Sequence, residues 1–333
     1  MPAQDENPRT SSTDSTIAAV RGQAGFRRFV RETWRSLQKT GVGDSFVNIE
    51  GGGIEQQRDK ELQLHHCANY AAVLTLLQDK GPNLRVLELG CGTGVLSYAF
   101  ARLVPEGWSL TATDYSDRLV EYARTNYQHP NLEFTRLDVR DLTPDYLARF
   151  DAVLFLEVIE HLEPSDVAGL LAKLHSGLRP GAMLVLSTLD RTPFPRPFSG
   201  YAPHCVEYTY DSLSVFLADR QKSPFEQSRV FRLVSPLIAA KAVRAEQRGG
   251  YLANRMHGFI LGLADRSRAF RRLYGSATSA AFRLYVKPRR NDSFDLEGYL
   301  GSLEFVQDRP EIHGANSFGL IAVLEKQRTS YSP

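Results

Sequence analysis

The sequence predicts an α/β fold: a doubly wound, mainly parallel sheet, with helices ahead of it and a helical insertion late in the chain. Three observations carry that prediction. From Arg85 onward, short apolar runs alternate with helically periodic segments, the pattern of strands and crossover helices in a parallel sheet. The first apolar run opens into a turn whose glycines stand two apart, Gly90, Gly92 and Gly94, before a helix begins. Beyond Pro236 the alternation stops and a basic segment takes over.

Taken in order, residues 1–15 are rich in Ser, Thr, Asp and Pro and are expected to be a disordered tail. Phe26, Phe29, Val30, Trp34 and Leu37 recur at helical spacing between Ile17 and Lys39, and Gly41 is placed to stop that helix. Gly51-Gly52-Gly53 marks a turn, and Glu61 to Leu77 reads as a second helix. Together they form an N-terminal helical segment, 16–80, expected to cover the site. The core, 81–235, reads as strand 85–89, helix 95–104, strand 108–113, helix 116–126, strands 132–136 and 152–156, helix 165–176 and strand 182–188. Ser165 is the expected N-cap of helix 165–176, and Gly177 lies beyond its end. Residues 300–326 return to the core, with a last buried strand over Phe318 to Glu325. The intervening 236–299 is expected to be a helical insertion, a lid or an oligomerisation element. Leu252, Met256, Phe259, Leu263, Phe270 and Tyr274 fall on one helical face there, with Arg268, Arg271 and Arg272 elsewhere. Gly258 and Gly262 each weaken that helix by about 1 kcal/mol.

Bulk properties exclude several classes. At 333 residues, 42% apolar and 23% charged, the chain has the make-up of a globular protein. No run reaches the length of a membrane span, and the polar N-terminus has no apolar signal segment. Cys67, Cys91 and Cys205 form no CxxC pair, and their odd number argues against a disulfide framework; a cytoplasmic location is the expectation. The net charge is +2, yet 236–290 holds twelve Lys/Arg against Glu246 and Asp265, which leaves the remainder acidic.

The glycine turn narrows the chemistry. A strand, a glycine-rich turn and a helix let a ligand approach the backbone where no Cβ obstructs it. Dinucleotide loops place the third glycine three residues after the second. Here it comes after two, with Val95 where that pattern needs glycine, and Glu88 stands two before the first. This GxGxG resembles motif I of the class I S-adenosylmethionine (SAM) methyltransferases. Phe150 to His161 (FDAVLFLEVIEH) resembles the segment that follows their fourth strand, and Leu178-Arg179-Pro180-Gly181-Ala182 their turn before the fifth. Ser187 to Thr192 (STLDRT) is similar to the ubiquinone-biosynthesis O-methyltransferases in particular. The resemblance spans about residues 60–217 and implies a seven-stranded sheet and SAM as cofactor.

SAM must be held by its amino-acid end, ribose and adenine. Gly90, Gly92 and Gly94 offer backbone to the methionine portion, with Glu88 nearby to accept hydrogen bonds. Asp114 ends the second strand, where a carboxylate takes both ribose hydroxyls. Tyr115 is placed to pack on adenine. Asp138 is placed to accept from the adenine amino group, or else is a capping carboxylate. Val139 and Leu156 complete the expected lining.

Methyl transfer needs alignment, and a base where the acceptor carries a proton. Glu157, Glu160 and His161 stand at i, i+3 and i+4, so on a helix they share one face. His204 follows in a HxxEYT segment. Two readings of this quartet stay open. One makes His161 and His204 a base or substrate ligand; the other makes Glu157, Glu160, His161 and His204 ligands for Mg²⁺ or another divalent ion gripping a deprotonated diol. The latter is implied by a similar EVIEH…H pattern in small-RNA terminal 2′-O-methyltransferases. His65 and His66 are expected to be half-solvated and Cys91 a small filler; His257 and His313 are expected to be structural or exposed. The leading function is thus methylation of a small molecule, at a hydroxyl ahead of nitrogen or carbon. The alternatives are a metal-assisted RNA 2′-O-methyltransferase, a lipid or isoprenoid methyltransferase touching membrane through the basic insertion, and a non-enzymatic SAM binder. A homodimer is compatible with the insertion, and the lack of aromatic–basic platforms argues against nucleic acid.

Overall fold

The computed structural model describes residues 11–39, 60–252, 254–256, 259, 294–307 and 314–327. Five parallel strands form its centre: β1 (Arg85–Leu89), β2 (Ser109–Asp114), β3 (Leu132–Arg136), β4 (Ala152–Leu156) and β5 (Met183–Leu189). Three antiparallel strands extend one side: β6 (Gln227–Val234), β7 (Glu304–Gln307) and β8 (Ser317–Glu325). The order is β3-β2-β1-β4-β5-β8-β6-β7. The sheet therefore has eight strands rather than the expected seven. The extra one, β7, is a four-residue edge strand on β6.

Period-two alternation along the central strands feeds two cores, one on each face of the sheet. Val86, Ala112, Leu154, Val185 and Ile321 face one side; Leu87, Leu89, Val153, Phe155, Leu184 and Leu320 face the other. On the first side lie α1 (Ser11–Lys39), α2 (Lys60–Leu77) and, after the glycine turn, α3 (Val95–Ala101), with α4 (Asp117–Asn126) following β2. The second side is covered by α5 (Pro144–Leu147), α6 (Pro164–Gly177) and α7 (Tyr210–Ala218).

Three local expectations change. Helix α1 begins at Ser11, so 11–15 are helical rather than disordered; 1–10 lie outside the described residues, as do Gly51 to Gly53. Helix α6 is entered through Glu163, with Pro164 at its first position. Proline has no N–H to lose there and its φ suits a helix start, so the helix begins one residue earlier and Ser165 is not the cap. Helix α2 is buried nearly all round, His65 included at 2% exposure, because α1 packs over it.

The segment after β6 stays close to the core. Helix α8 (Pro236–Ala245) is capped by Ser235, whose hydroxyl accepts from the Ile238 N–H, and it buries Ile238 and Ala239. The chain kinks at Gly249 (φ 109°) and is helical again at Tyr251. Leu252, Met256 and Phe259 are exposed there; Gly258, Gly262, Leu263, Phe270, Tyr274, the three arginines and His257 lie outside the described residues. The return runs through α9 (Leu296–Ser302), which the N-terminal helices hold. Trp34 stacks on Phe294 at 5.0 Å, Arg31 pairs with Glu297, and Glu61 accepts from both Lys241 of α8 and Tyr299 of α9. No helix among the described residues is long and apolar enough to cross a membrane.

Candidate active site

The parallel strands β1, β2, β4 and β5 end at one edge of the sheet, where ligands of open α/β folds bind. The glycine turn leaves β1 there. Gly90, Gly92 and Gly94 all adopt left-handed backbone (φ 82°, 57° and 78°). Their environments differ. A Cβ on Gly94 would stand 2.5 Å from the Phe134 ring and 2.8 Å from Ala123, so that glycine is required by packing. A Cβ on Gly92 would meet nothing within 4 Å. The backbone at Gly92 is thus bare and approachable, a cradle that fits a ligand's polar chain.

Asp114 locks this cradle. Its carboxylate accepts from the Gly92 N–H (3.0 Å) and the Ser116 N–H (2.9 Å) and is 5% exposed. Each oxygen keeps a second lone pair for an incoming hydroxyl. Burial raises the Asp114 carboxyl against those backbone bonds. Tyr115, beside it, is 64% exposed, which leaves its ring a face for a flat base. Glu88 is buried, and its carboxylate accepts from the Tyr70 hydroxyl of α2. Burial raises its carboxyl, with Tyr70 opposing, so Glu88 supports the loop from beneath. Cys91 is buried and its thiol pushed well up by burial, which suits an inert filler. Asp138 caps the single turn Val139–Asp141 and is paired with the Arg140 side chain, which holds its carboxyl down at about 2. That is the capping alternative. Val139 is half-buried, and Leu156 is buried at the end of β4.

The quartet after β4 divides. Glu157 takes left-handed backbone (φ 54°), and only Ile159–His161 form a turn of 3₁₀ helix, so no helical face joins Glu157, Glu160 and His161. The αL residue and Pro164 leave no room for more. Glu157 instead turns toward α2: its Oε1 accepts from Asn69 (3.0 Å) and Ser187 (2.8 Å) and lies 3.2 Å from His65 Nε2. Burial opposes its charge, but His65, His66 and Ser187 outweigh burial and hold the carboxyl at about 2. His66, half-buried against His65, is lowered to about 4 by burial and by its neighbour.

Glu160, His161 and His204 do come together, their ligand atoms within 4.8 Å of one another. Glu160 accepts from Thr188, and burial plus the Glu157 charge push its carboxyl well up. His161 Nδ1 lies 3.1 Å from the Pro203 carbonyl and His204 Nδ1 2.7 Å from Glu207 Oε1. A carbonyl and an ionised carboxylate can only accept, so both rings carry a proton on Nδ1, and in the neutral ring Nε2 is the lone pair. Burial and His204 lower His161. The chain that leads to the second cluster leaves β4 beside the glycine turn: a Cβ on Gly90 would lie 2.8 Å from the Val158 side chain.

Residues 86–181 match the family described as "Methyltransferase domain". That stretch of the chain is thus similar to a methyltransferase domain. A ubiquinone biosynthesis O-methyltransferase of Xanthomonas campestris is 40% identical over 114 residues, which are 34% of this chain and 46% of that protein. One from Caulobacter is 37% identical over 112 residues, 33% of this chain and 42% of the relative. The chain thus spans under half the length of these relatives. Coclaurine N-methyltransferase, solved with N-methylheliamine and S-adenosylhomocysteine, is 16% identical with a TM-score of 0.47, covering 95% of this chain and 96% of that one.

In methyltransferase domains of this class SAM is the cofactor, and the bare backbone at Gly92 beside Asp114 and Tyr115 fits it. The sequence reading passed over Tyr70 and Asn69, which α2 supplies to Glu88 and Glu157. Their signal was polar groups on a largely buried helix, where each must find a partner. It also missed Glu207 and Arg191. A cavity of about 440 Å³ is bordered by Leu84, Asp151, Arg179 and Lys326 at the opposite edge of the sheet, away from this chemistry.

Because Glu157 is held charged, its contribution to stability is present above the ordinary carboxylate range and disappears as pH falls through about 2. Glu157→Gln is therefore expected to lower the urea midpoint at pH 6, with the gap to wild type narrowing from about pH 4.5 downward. Equal gaps at pH 6 and pH 3 would show that Glu157 is not held ionised.

Proposed function

We propose that the protein transfers the methyl group of SAM to a small-molecule hydroxyl. The observation that carries this is that the Gly92–Asp114 cradle leaves β1 and β2 at the sheet edge where β4 and β5 lead to two imidazoles, each engaged at Nδ1. SAM supplies an electrophilic methyl on a sulfonium, so the protein's own work is alignment and deprotonation. Asp114 and Gly92 hold the cofactor, and Tyr115 covers its base. His204 Nε2 takes the acceptor proton, and Glu207 at Nδ1 stabilises the imidazolium that forms, as a carboxylate does for a catalytic histidine. The similarity to named O-methyltransferases supports a hydroxyl over nitrogen or carbon.

A second reading has a specific observation in its favour: Glu160, His161 and His204 form a compact donor set. One carboxylate and two imidazoles suit zinc or a similar ion better than Mg²⁺, which prefers oxygen. Glu157, committed to α2, is outside that set.

The test is transfer of radiolabelled methyl from SAM to a cell extract fractionated into small molecules, lipids and RNA. Label in the small-molecule fraction, released as a methyl ether, is the expected result. Label confined to RNA or to amine products would overturn the assignment.

A further inference from the structure

His204 stands at the end of a buried ionic chain that begins in the segment after β6. Glu207, its partner, is 1% exposed and saturated: Oε1 takes His204 Nδ1–H and the Ser199 hydroxyl, and Oε2 takes the Ser199 N–H (2.8 Å) and lies 3.1 Å from Arg191 Nε. Arg191 is 4% exposed and stacked on Phe194 at 4.0 Å. Its other end lies 2.8 Å from Oε2 of Glu246, the residue that follows α8 and is itself 7% exposed. A second path reaches the same carboxylate: Asn254 donates to the Ser199 carbonyl at 3.2 Å, and Tyr251 and Arg255 close on Gly200. The root of the loop is fixed apart from this, by a buried pair between Asp190 and Arg232.

The stoichiometry of charge is informative. One guanidinium, which also donates to the Arg196 carbonyl at 2.7 Å, stands between two buried carboxylates. A packing device would need only one carboxylate, since each buried ion costs several kcal/mol in desolvation.

We propose that Glu246 and Arg191 are positioning residues: through Glu207 they fix the His204 imidazole with its proton on Nδ1, so that the segment following β6 governs whether His204 is ready to accept the substrate proton. This rests on the proposed methyl transfer for what His204 does, but not for how it is held.

The test reads the ring directly, in chelator-treated full-length protein labelled with ¹⁵N-histidine at pH 8. His204→Gln removes one pair of ring signals and so assigns them. Wild-type His204 is expected as a single Nδ1–H tautomer. In Glu246→Gln, folded by circular dichroism and with SAM affinity within twofold of wild type, the tautomer ratio is expected to fall at least about threefold, a fraction of one charge-assisted interaction passed on through Arg191 and Glu207. Glu246→Asp, which keeps the charge, should restore most of it. Should Glu246→Gln not fold, Asn254→Ala removes the second path at a half-buried position and carries the same expectation. An unchanged His204 tautomer in a folded Glu246→Gln or Asn254→Ala protein overturns the proposal. Loss of SAM binding by wild type would instead overturn the proposed function and leave this result standing.

Discussion

Asp114→Ala is expected to weaken SAM binding by at least about a hundredfold. Two charge-assisted hydrogen bonds to a ribose are at stake, each worth about 1.5–3 kcal/mol. The structure adds a second loss. The same carboxylate ties the Gly92 N–H to the Ser116 N–H, so its removal releases Gly92 from the end of β2, while Gly90 and Cys91 stay bonded to the Thr113 carbonyl. Asp114→Asn separates the two effects. An amide oxygen can accept one of those backbone bonds but cannot serve as a charged acceptor, so it should fall between wild type and alanine. Titration calorimetry on folded protein is the measurement. Unchanged affinity in Asp114→Ala would remove this residue from the cofactor.

What the sequence disclosed follows from how each signal arises. β1 and β4 are legible to the residue because they are buried on both faces and bounded by sharp turns. β6 was not read: its first three residues, Gln227, Ser228 and Arg229, are exposed, and Arg229 and Arg232 break the apolar pattern. Arg232 sits in the core paired with Asp190 from forty-two residues away and laid over Tyr210, contacts that no local pattern announces. β7 is shorter still and pairs on one side only. The cofactor loop was visible because glycines at positive φ are a local requirement. The reacting cluster was visible only as a list of residue types. Periodicity placed Glu157, Glu160 and His161 on one helical face, whereas the left-handed turn at Glu157 sends it to Asn69 and leaves Glu160 to meet His204 across the sheet edge. Charge counting flagged 236–290 as basic, yet the contact that matters for the site is one of its two acids, Glu246.

His204→Ala is expected to lower kcat by about 10²–10⁴, as loss of a general base does, with SAM affinity unchanged. The metal reading predicts a loss of similar size, so the alanine variant alone does not separate them. Chelation does. If His204 acts through its own lone pair, exhaustive chelator treatment leaves wild-type turnover intact; if Glu160, His161 and His204 hold an ion, chelation abolishes turnover and zinc or a related ion restores it. The variants then divide further. A base at His204 makes Glu160 a buried acid kept protonated by its surroundings, so Glu160→Gln should be nearly silent in kcat. A metal requires that carboxylate ionised as a ligand, and Glu160→Gln should then be as damaging as His204→Ala. Turnover that survives in both His204→Ala and Glu160→Gln, measured on the acceptor fraction that takes label, would move the proton transfer elsewhere. His161, whose Nε2 is the other lone pair at this edge, would be the next residue to change.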